Sequence, residues 1–189
     1  IELFATTCVF EGVGKLTIYD KTQGSQNAQG YVTSVFGLKS DNVKLINHYV
    51  GGAFGSALRP QHNLFFAVMT REQMFHIGYR PDNFQTVSLA ADRGGRLLSI
   101  MHDAVASTST YEDYQEVIVN WSGMMYHCDN VKLSYRLAGL NTATPCDMRA
   151  PGAAIGVTAL ECAIDELSYE VGIDPLAIRQ LNFATIDEN

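Results

Sequence analysis

The strongest constraint in this 189-residue sequence is the apolar periodicity of residues 151–171, which predicts one long helix. Pro151 suits the first helical position, and Gly172 follows where a left-handed cap is expected. Small and apolar residues that recur at helical spacing mark the predicted buried face: Ile155, Ala159, Cys162, Ala163 and Leu167. Asp174 and Pro175 then predict the start of a shorter helix, with Asp174 as its N-cap.

The rest of the chain alternates β-rich runs with one further helix. Residues 6–10 and 15–19 flank a glycine-containing turn and predict a hairpin. Residues 25–36 form a helical pattern that Gly37 can end. The residues predicted to share the buried face of that helix are Ala28, Val32, Val35 and Phe36. Further strands are predicted at residues 43–50, 85–89, 96–102 and 131–137, with a turn at 91–95. Hairpins with helices between them predict an α+β fold of mixed sheet packed with helices.

Composition excludes several classes of function. Hydrophobic residues make up 47% and charged residues 17%, which is typical of a globular protein. A formal net charge of −7 argues against nucleic acid or an anionic membrane surface as partner, because both bind a basic face. No apolar run approaches the roughly 20 residues of a membrane-spanning helix. Neither the cysteines nor the histidines show metal-ligand spacing, so reduced thiols and surface or core histidines are expected: Cys8, Cys128, Cys146, Cys162, His48, His62, His76, His102 and His127.

The first loop with chemical potential is Thr22-Gln23-Gly24, between a predicted strand and a predicted helix. A glutamine amide offers two donors and an acceptor, which can hold an oxo ligand or a bound anion. A glutamine at such a turn is also ordinary, so both interpretations stay open.

The second loop is Gly51-Gly52-Ala53-Phe54-Gly55. Closely spaced glycines let backbone N–H groups approach a ligand without interference from a Cβ atom. The loop lacks the patterns of a P-loop or a dinucleotide-binding turn. A bulge or tight turn is the alternative interpretation.

The third loop is Met148-Arg149-Ala150-Pro151-Gly152. Arg149 precedes a predicted helix start, where free N–H groups and the helix dipole favour anions or oxyanions. An arginine that pairs with a carboxylate for structural reasons is the competing explanation.

Taken together and in this order, the loops resemble the molybdopterin-binding large subunit of the xanthine dehydrogenase/aldehyde oxidase family. Residues 19–23 (YDKTQ) are similar to the family's strand ending in Ser/Thr-Gln, and residues 50–56 (VGGAFGS) to its glycine-rich loop. Further similar segments are residues 1–7, 70–75 with 78–81, 148–152, 159–161 and 165–167. The resemblance covers essentially the whole chain, so residues 1–189 are expected to form a partial molybdopterin-binding domain.

The resemblance implies the fold of the family's first molybdopterin-binding domain and a molybdenum–molybdopterin cofactor, expected in its cytosine dinucleotide form. The metal would be held through the pterin and not by protein side chains. Gln23 would hydrogen-bond an oxo ligand of the metal, and Arg149 would contact the cofactor and stabilise negative charge on the substrate. The loop that would line the cofactor consists of Gly51, Gly52, Ala53, Phe54 and Gly55.

The implied reaction is the oxidation of a small molecule, either an aldehyde or an aromatic heterocycle, with oxygen derived from water. Electrons would pass to [2Fe–2S] clusters and FAD on an iron–sulfur subunit and an FAD subunit. Leu58 stands where the xanthine dehydrogenase branch often has a glutamate, which disfavours purines. A cytoplasmic location is expected, or a periplasmic one if an upstream segment carries a signal.

Two departures from the family pattern indicate a partial enzyme. The family's glutamate base lies in a Gly-Glu segment of a later domain, and no such segment occurs here, so the chain alone is expected to be inactive. The C-terminal molybdopterin-binding domain is likewise expected to be absent. Residues 58–69 are too short for the family's helix and strand, which predicts an internal loss near Met69 and Thr70 and an exposed apolar patch at residues 64–69. The alternative function is a non-catalytic fragment or assembly module that keeps the fold without the cofactor.

Overall fold

The computed structural model describes residues 3–60, 72 and 78–186. The chain divides into two compact units. Unit 1 comprises Ile1–Arg80 and Pro145–Arg149, and unit 2 comprises Pro81–Thr144 and Ala150–Asn189. Each unit contains a mixed three-stranded sheet and at least one helix, so the α+β class is confirmed. The predicted loss near Met69 and Thr70 and the predicted apolar patch at residues 64–69 lie outside the described residues.

Unit 1 is built on the predicted hairpin. Strands β1 (Thr6–Phe10) and β2 (Leu16–Asp20) pair antiparallel, and β3 (Val43–Ile46) pairs parallel with β2. Helix α1 (Ser25–Phe36) and a 3-10 turn (Ser40–Asn42) connect β2 to β3. Strand β3 ends at Ile46, before the predicted residue 50, and the side-chain amide of the next residue, Asn47, donates to the carbonyl of Thr22 in the β2–α1 loop.

Helix α1 buries only half of its predicted apolar face. Ala28 and Val32 are buried, and Val32 packs with the strand residues Ile18 and Val43. Val35 and Phe36 are 55% and 68% exposed, so their predicted burial is wrong. The core cluster beneath the helix stops at Val32, one turn before the left-handed cap at Gly37 (φ 62°).

Unit 2 contains the longer strands. Strands β4 (Asn83–Ala91) and β5 (Leu97–Ser109) pair antiparallel, and β6 (Val131–Leu140) pairs parallel with β5. A short helix α2 (Trp121–Met124) follows β5, and helices α3 (Ala153–Val171) and α4 (Pro175–Asn182) follow β6. Strands β4 and β6 extend beyond their predicted bounds, and β5 begins one residue later than predicted but continues to Ser109. The main core cluster comprises Leu97, Ile100, Tyr126, Cys128, Leu160, Ile164 and Ile178.

Helix α3 differs from prediction at its start and on its buried face. It begins at Ala153 and not at Pro151, because Gly152 at its N-cap has a φ of 72°, which is not helical. The buried line runs through Gly156, Leu160, Ile164 and Ser168, whereas Cys162 is exposed. Gly156 decides this orientation, since a Cβ there would lie 1.9 Å from the Ile118 carbonyl oxygen.

The predicted helix ends are confirmed elsewhere. Gly172 caps α3 with a φ of 68°, and the Asp174 side chain accepts the N–H groups of Leu176 and Ala177 at the start of α4. All four cysteines are free thiols. Within the described ranges, no helix combines the length and the apolar character needed to cross a bilayer.

Candidate functional site

Gln23 lies three residues after the end of β2, in a turn that is bonded to the glycine-rich loop. Its backbone N–H donates to the carbonyl of Ala57 at 2.8 Å, and the buried Thr22 hydroxyl donates to the same carbonyl at 3.2 Å. Two donors on one carbonyl oxygen fix the distance between the turn and the loop. The position of Gln23 is therefore set by backbone contacts before its side chain is considered.

The Gln23 side chain is anchored through its oxygen. Oε1 accepts the N–H of Gly55 at 2.9 Å and the N–H of Ala57 at 3.3 Å. Because only the amide oxygen can accept two N–H donors, these bonds fix the orientation of the amide group. The Nε2 atom is left as a directed donor on an exposed residue. The sequence identified the donor but not the anchoring of the loop.

Asp20, at the end of β2, adds a buried carboxyl group to this region. Burial raises its pKa, while the Thr6 hydroxyl, which donates to Oδ1 at 2.7 Å, opposes the rise. Its other oxygen, Oδ2, is buried and has no hydrogen-bond partner in the described structure.

The glycine-rich loop is held in an unusual backbone conformation. Phe54 has a φ of 53°, a left-handed value that is uncommon for a non-glycine residue, and its side chain is 57% exposed. Ala53 is buried and packs with Phe4 and Ala57. The N–H groups of Gly52 and Phe54 make no hydrogen bond to any other described residue. The loop thus has a packed base and two N–H donors that have no partner among the described residues.

Gly55 allows two segments of unit 1 to lie in close contact. A Cβ on Gly55 would lie 2.4 Å from the carbonyl oxygen of Asp147. The Asp147 carboxylate also accepts from Arg59 Nε at 3.4 Å. These contacts join the glycine-rich loop to the segment that carries Arg149. The sequence predicts that a ligand approaches the backbone of this loop closely. At Gly55 that close approach is made by the Asp147 backbone of the protein itself.

Arg149 presents its side chain to solvent while its backbone is held. Its carbonyl oxygen accepts from Arg80 Nη2 at 2.8 Å. Its guanidinium makes no hydrogen bond or ion pair with a described residue, so the structural carboxylate partner considered from the sequence is not found there. The structure therefore brings together Gln23, the loop 51–55 and the Arg149 segment within unit 1.

The helix start that follows Arg149 is not a free anion site. The N–H of Gly152 donates to Oε2 of Glu116 at 2.9 Å, and Glu116 is 1% exposed. The expectation that this helix end has unsatisfied donors is wrong for Gly152, because a carboxylate of unit 2 already occupies that position. Nothing in the sequence around Glu116 marks it for this role.

The donors of unit 1 suit a group rich in anionic oxygens. Gln23 Nε2, the free N–H groups of Gly52 and Phe54, and the Arg149 guanidinium are all donors, and none is paired with a described acceptor. A pterin-held molybdenum centre with oxo ligands and phosphate groups has acceptors to match. The residues therefore fit the cofactor implied by the sequence.

Side chains able to bind a metal directly do not cluster in the described residues, where no three of His, Cys, Asp and Glu lie close enough to share an ion. His102 shows how one of the histidines is used. It is fully buried, and its ring nitrogens pair with Ser122 Oγ at 2.7 Å and Gln85 Oε1 at 2.9 Å. The prediction of a satisfied core histidine is confirmed for this residue.

Known proteins with similar sequences carry related names. A family described as the molybdopterin cofactor-binding domain matches residues 1–183. The aldehyde oxidoreductase molybdenum-binding subunit PaoC of Escherichia coli O157:H7 is 30% identical over 99% of this chain, which covers 27% of that subunit. The aldehyde oxidoreductase of Megalodesulfovibrio gigas is 25% identical over 89% of this chain and 20% of its own length. The chain thus spans about a quarter of these relatives.

Solved structures show the same fold. The aldehyde oxidoreductase from Desulfovibrio gigas superposes with a TM-score of 0.83 at 23% identity, over 97% of this chain and 22% of that one. Quinoline 2-oxidoreductase from Pseudomonas putida 86 superposes with a TM-score of 0.74 at 20% identity, over 89% of this chain and 24% of that one. The family match over residues 1–183 decides the assignment. The chain belongs to the molybdopterin cofactor-binding domain family, of the xanthine dehydrogenase/aldehyde oxidase type.

Proposed function

We propose that this chain forms part of the molybdenum-cofactor site of a hydroxylase that oxidises an aldehyde or an aromatic heterocycle. The observation that carries the proposal is the anchored amide of Gln23, whose oxygen is held by Gly55 and Ala57 and whose nitrogen is left as a donor. The names of relatives such as the PaoC subunit and quinoline 2-oxidoreductase support these substrate classes. Leu58, in place of a glutamate, favours them over purines.

The residues of this chain bind, orient and stabilise. Gln23 would donate through Nε2 to the molybdenum centre, and the N–H groups of Gly52 and Phe54 would donate to the cofactor. Gly51, Ala53 and Gly55 give the loop its shape. When bound, the molybdenum–pterin cofactor supplies the two-electron oxidation, with water as the source of oxygen.

Arg149 acts on the substrate. Its guanidinium carries a positive charge and has no competing carboxylate among the described residues. A fixed positive charge of this kind stabilises negative charge that develops on a bound substrate. Arg149, whose carbonyl is held by Arg80, would also be among the residues that hold the cofactor.

The remaining parts of the reaction belong to other protein segments. Partner subunits with [2Fe–2S] clusters and FAD would accept the electrons, and the cofactor would be the cytosine dinucleotide form. The family's Gly-Glu segment does not occur in residues 1–189, so turnover would require that segment from elsewhere in the enzyme. The location that suits this assembly is cytoplasmic.

A second candidate is an assembly module that keeps the fold without binding the cofactor. Two observations favour it. The close contact with Asp147 already explains why position 55 is a glycine, and the Gln23 oxygen already accepts a hydrogen bond from the loop. Both features would exist in a purely structural domain.

Metal and pterin content separates the two candidates. The complete subunit, co-expressed with its iron–sulfur and FAD partners, should contain about one molybdenum per subunit by elemental analysis and an oxidised pterin by fluorescence. It should also oxidise members of a panel of aldehydes and aromatic heterocycles faster than purines. A folded, fully assembled complex without molybdenum or pterin would establish the assembly module instead.

A further inference from the structure

The segment Gly78–Tyr79–Arg80 runs beside the segment that carries Arg149. The N–H of Cys146 donates to the carbonyl of Tyr79 at 3.1 Å, and Arg80 Nη2 donates to the carbonyl of Arg149 at 2.8 Å. These two bonds hold both ends of residues 146–149. The sequence marked residues 78–81 as part of a family-like block but gave them no role.

The contact between the two segments is close as well as bonded. A Cβ at Gly78 (φ 72°) would lie 3.0 Å from Cys146 Sγ and 3.8 Å from Met148 Sδ. Cys146 itself is 1% exposed. A larger residue at position 78 would therefore push against the buried side chain of Cys146. The segments 78–80 and 146–149 thus pack directly against each other.

The hydrogen bond from Arg80 holds the peptide group between Arg149 and Ala150. The carbonyl of Arg149 belongs to the peptide plane that joins it to Ala150, and Ala150 has a φ of 55°. A left-handed backbone conformation is unfavourable for alanine and persists only when neighbouring groups hold it. A charged guanidinium on the carbonyl is a strong bond of the kind required. The same bond restricts the ψ angle of Arg149 and thus the direction in which its side chain leaves the backbone.

A second restraint acts on the other side of this segment. Asp147 is held by Arg59 at 3.4 Å and by the packing of its carbonyl against Gly55. Arg59 and Gly55 belong to the glycine-rich loop region, whereas Arg80 does not. The direction of Arg149 is thus restrained by two independent arginines, of which only Arg80 bonds to Arg149 itself.

We propose that Arg80 is a positioning residue that sets the direction of the Arg149 side chain by holding the Arg149–Ala150 peptide group. The inference rests on the proposed role of Arg149 toward the substrate. Arg80 donates through a planar fork, so a lysine at this position should restore part of the effect, and a glutamine little of it.

The test uses the complete enzyme with its partner subunits and compares R80Q, R80K, R149A and the double variant R80Q/R149A. The matched control is R93Q, at an exposed arginine in the β4–β5 turn of unit 2. We expect R80Q to lower kcat by roughly 10- to 100-fold with molybdenum content unchanged, because a shift of about 1 Å in an oriented group has effects of this size. R80K should recover at least part of that loss, and R93Q should match the wild type.

Two further readouts separate positioning from general destabilisation. In the R149A background, R80Q should lower kcat by less than about 3-fold, since the residue through which it acts is gone. Hydrogen exchange of a peptide that covers residues 145–152 should be faster in R80Q than in the wild type, with or without cofactor.

The outcomes distinguish this inference from the proposed function. If R149A lowers kcat and R80Q does not, or if the two losses multiply fully, Arg80 has no positioning role and the function of the site stands. If R149A leaves kcat unchanged, the proposed role of Arg149 fails, and the inference fails with it.

Discussion

The carboxylate of Glu116 accepts the N–H of Gly152 at 2.9 Å, at the start of helix α3. Glu116 is 1% exposed, and the Tyr114 hydroxyl donates to its other oxygen at 3.4 Å. A Cβ on Gly152 would lie 2.3 Å from the carbonyl oxygen of Val117. The helix therefore begins in direct contact with the loop that carries Glu116.

Two replacements of Glu116 should separate the contribution that its hydrogen bond to Gly152 makes to stability from the contribution of its charge. E116A leaves the Gly152 N–H buried without an acceptor and opens a cavity, which should lower the free energy of unfolding by about 3 kcal/mol. E116Q keeps an acceptor for Gly152 and should lower the free energy of unfolding by only about 1 kcal/mol. Urea denaturation of the purified protein measures both values, and equal losses in the two variants would show that the bond to Gly152 contributes little.

Gly55 should tolerate no side chain, and Gly12 provides the matched comparison. Both have a positive φ (100° and 111°), but a Cβ at Gly12 meets nothing within 4 Å, whereas at Gly55 it meets Asp147. G12A should therefore lower the free energy of unfolding by about 1 kcal/mol, from backbone strain alone. G55A should lower it by roughly 3 kcal/mol or more and should also reduce the molybdenum content of the enzyme.

Both variants introduce backbone strain at a positive φ, so the difference between them reports the contact with Asp147 alone. Similar losses for G12A and G55A would mean that the Asp147 segment moves aside easily, and the close contact between the loops would then have no energetic weight.

The elements that could be predicted from the sequence are those fixed by local signals. The β1–β2 hairpin, the left-handed caps at Gly37 and Gly172, and the Asp174 cap all depend on residues within a few positions of each other. The buried face of α3 could not be predicted in this way. It depends on Gly156 meeting the backbone of Ile118, a contact between residues far apart in the chain.

The candidate site shows the same division. Residue type and family resemblance point to Gln23 and the glycine-rich loop. Their connection through the Gln23 oxygen, and the contact of Gly55 with Asp147, are long-range and leave no local pattern. Arg80 and Glu116 were missed as anchors for the same reason, since each acts on a backbone group more than 30 residues away.

The buried His102 should make stability depend on pH near neutrality. Burial lowers its pKa below the ordinary 6.5, although the neighbouring Asp103 charge opposes the shift. The unfolded state then binds more protons than the folded state just below pH 6.5, so stability should fall as the pH is lowered from about 7 to 5.5. The loss should level off below the folded-state pKa. The raised pKa of Asp20 acts in the opposite direction, at lower pH near its ordinary 3.8.

The measurement is urea denaturation at several pH values between 5.5 and 7.5, for the wild type and for H102Q. A glutamine still donates to Gln85 Oε1 but does not titrate, so H102Q should be less stable at pH 7.5 and should show a flatter dependence on pH. An unchanged slope in H102Q would assign the pH dependence to other groups.

Gln23 anchors the loop through its oxygen, and its nitrogen is the donor proposed to hold the cofactor. Gln23→Glu tests this division of roles most directly, because a carboxylate keeps the acceptor for Gly55 and Ala57 while removing the Nε2 donor. The matched control is Q26E, the same change at an exposed position in the first turn of α1. In the complete enzyme, Q23E should retain its thermal midpoint and most of its molybdenum and lose at least 10-fold in kcat, while Q26E matches the wild type. A Q23E enzyme with wild-type kcat would contradict the claim.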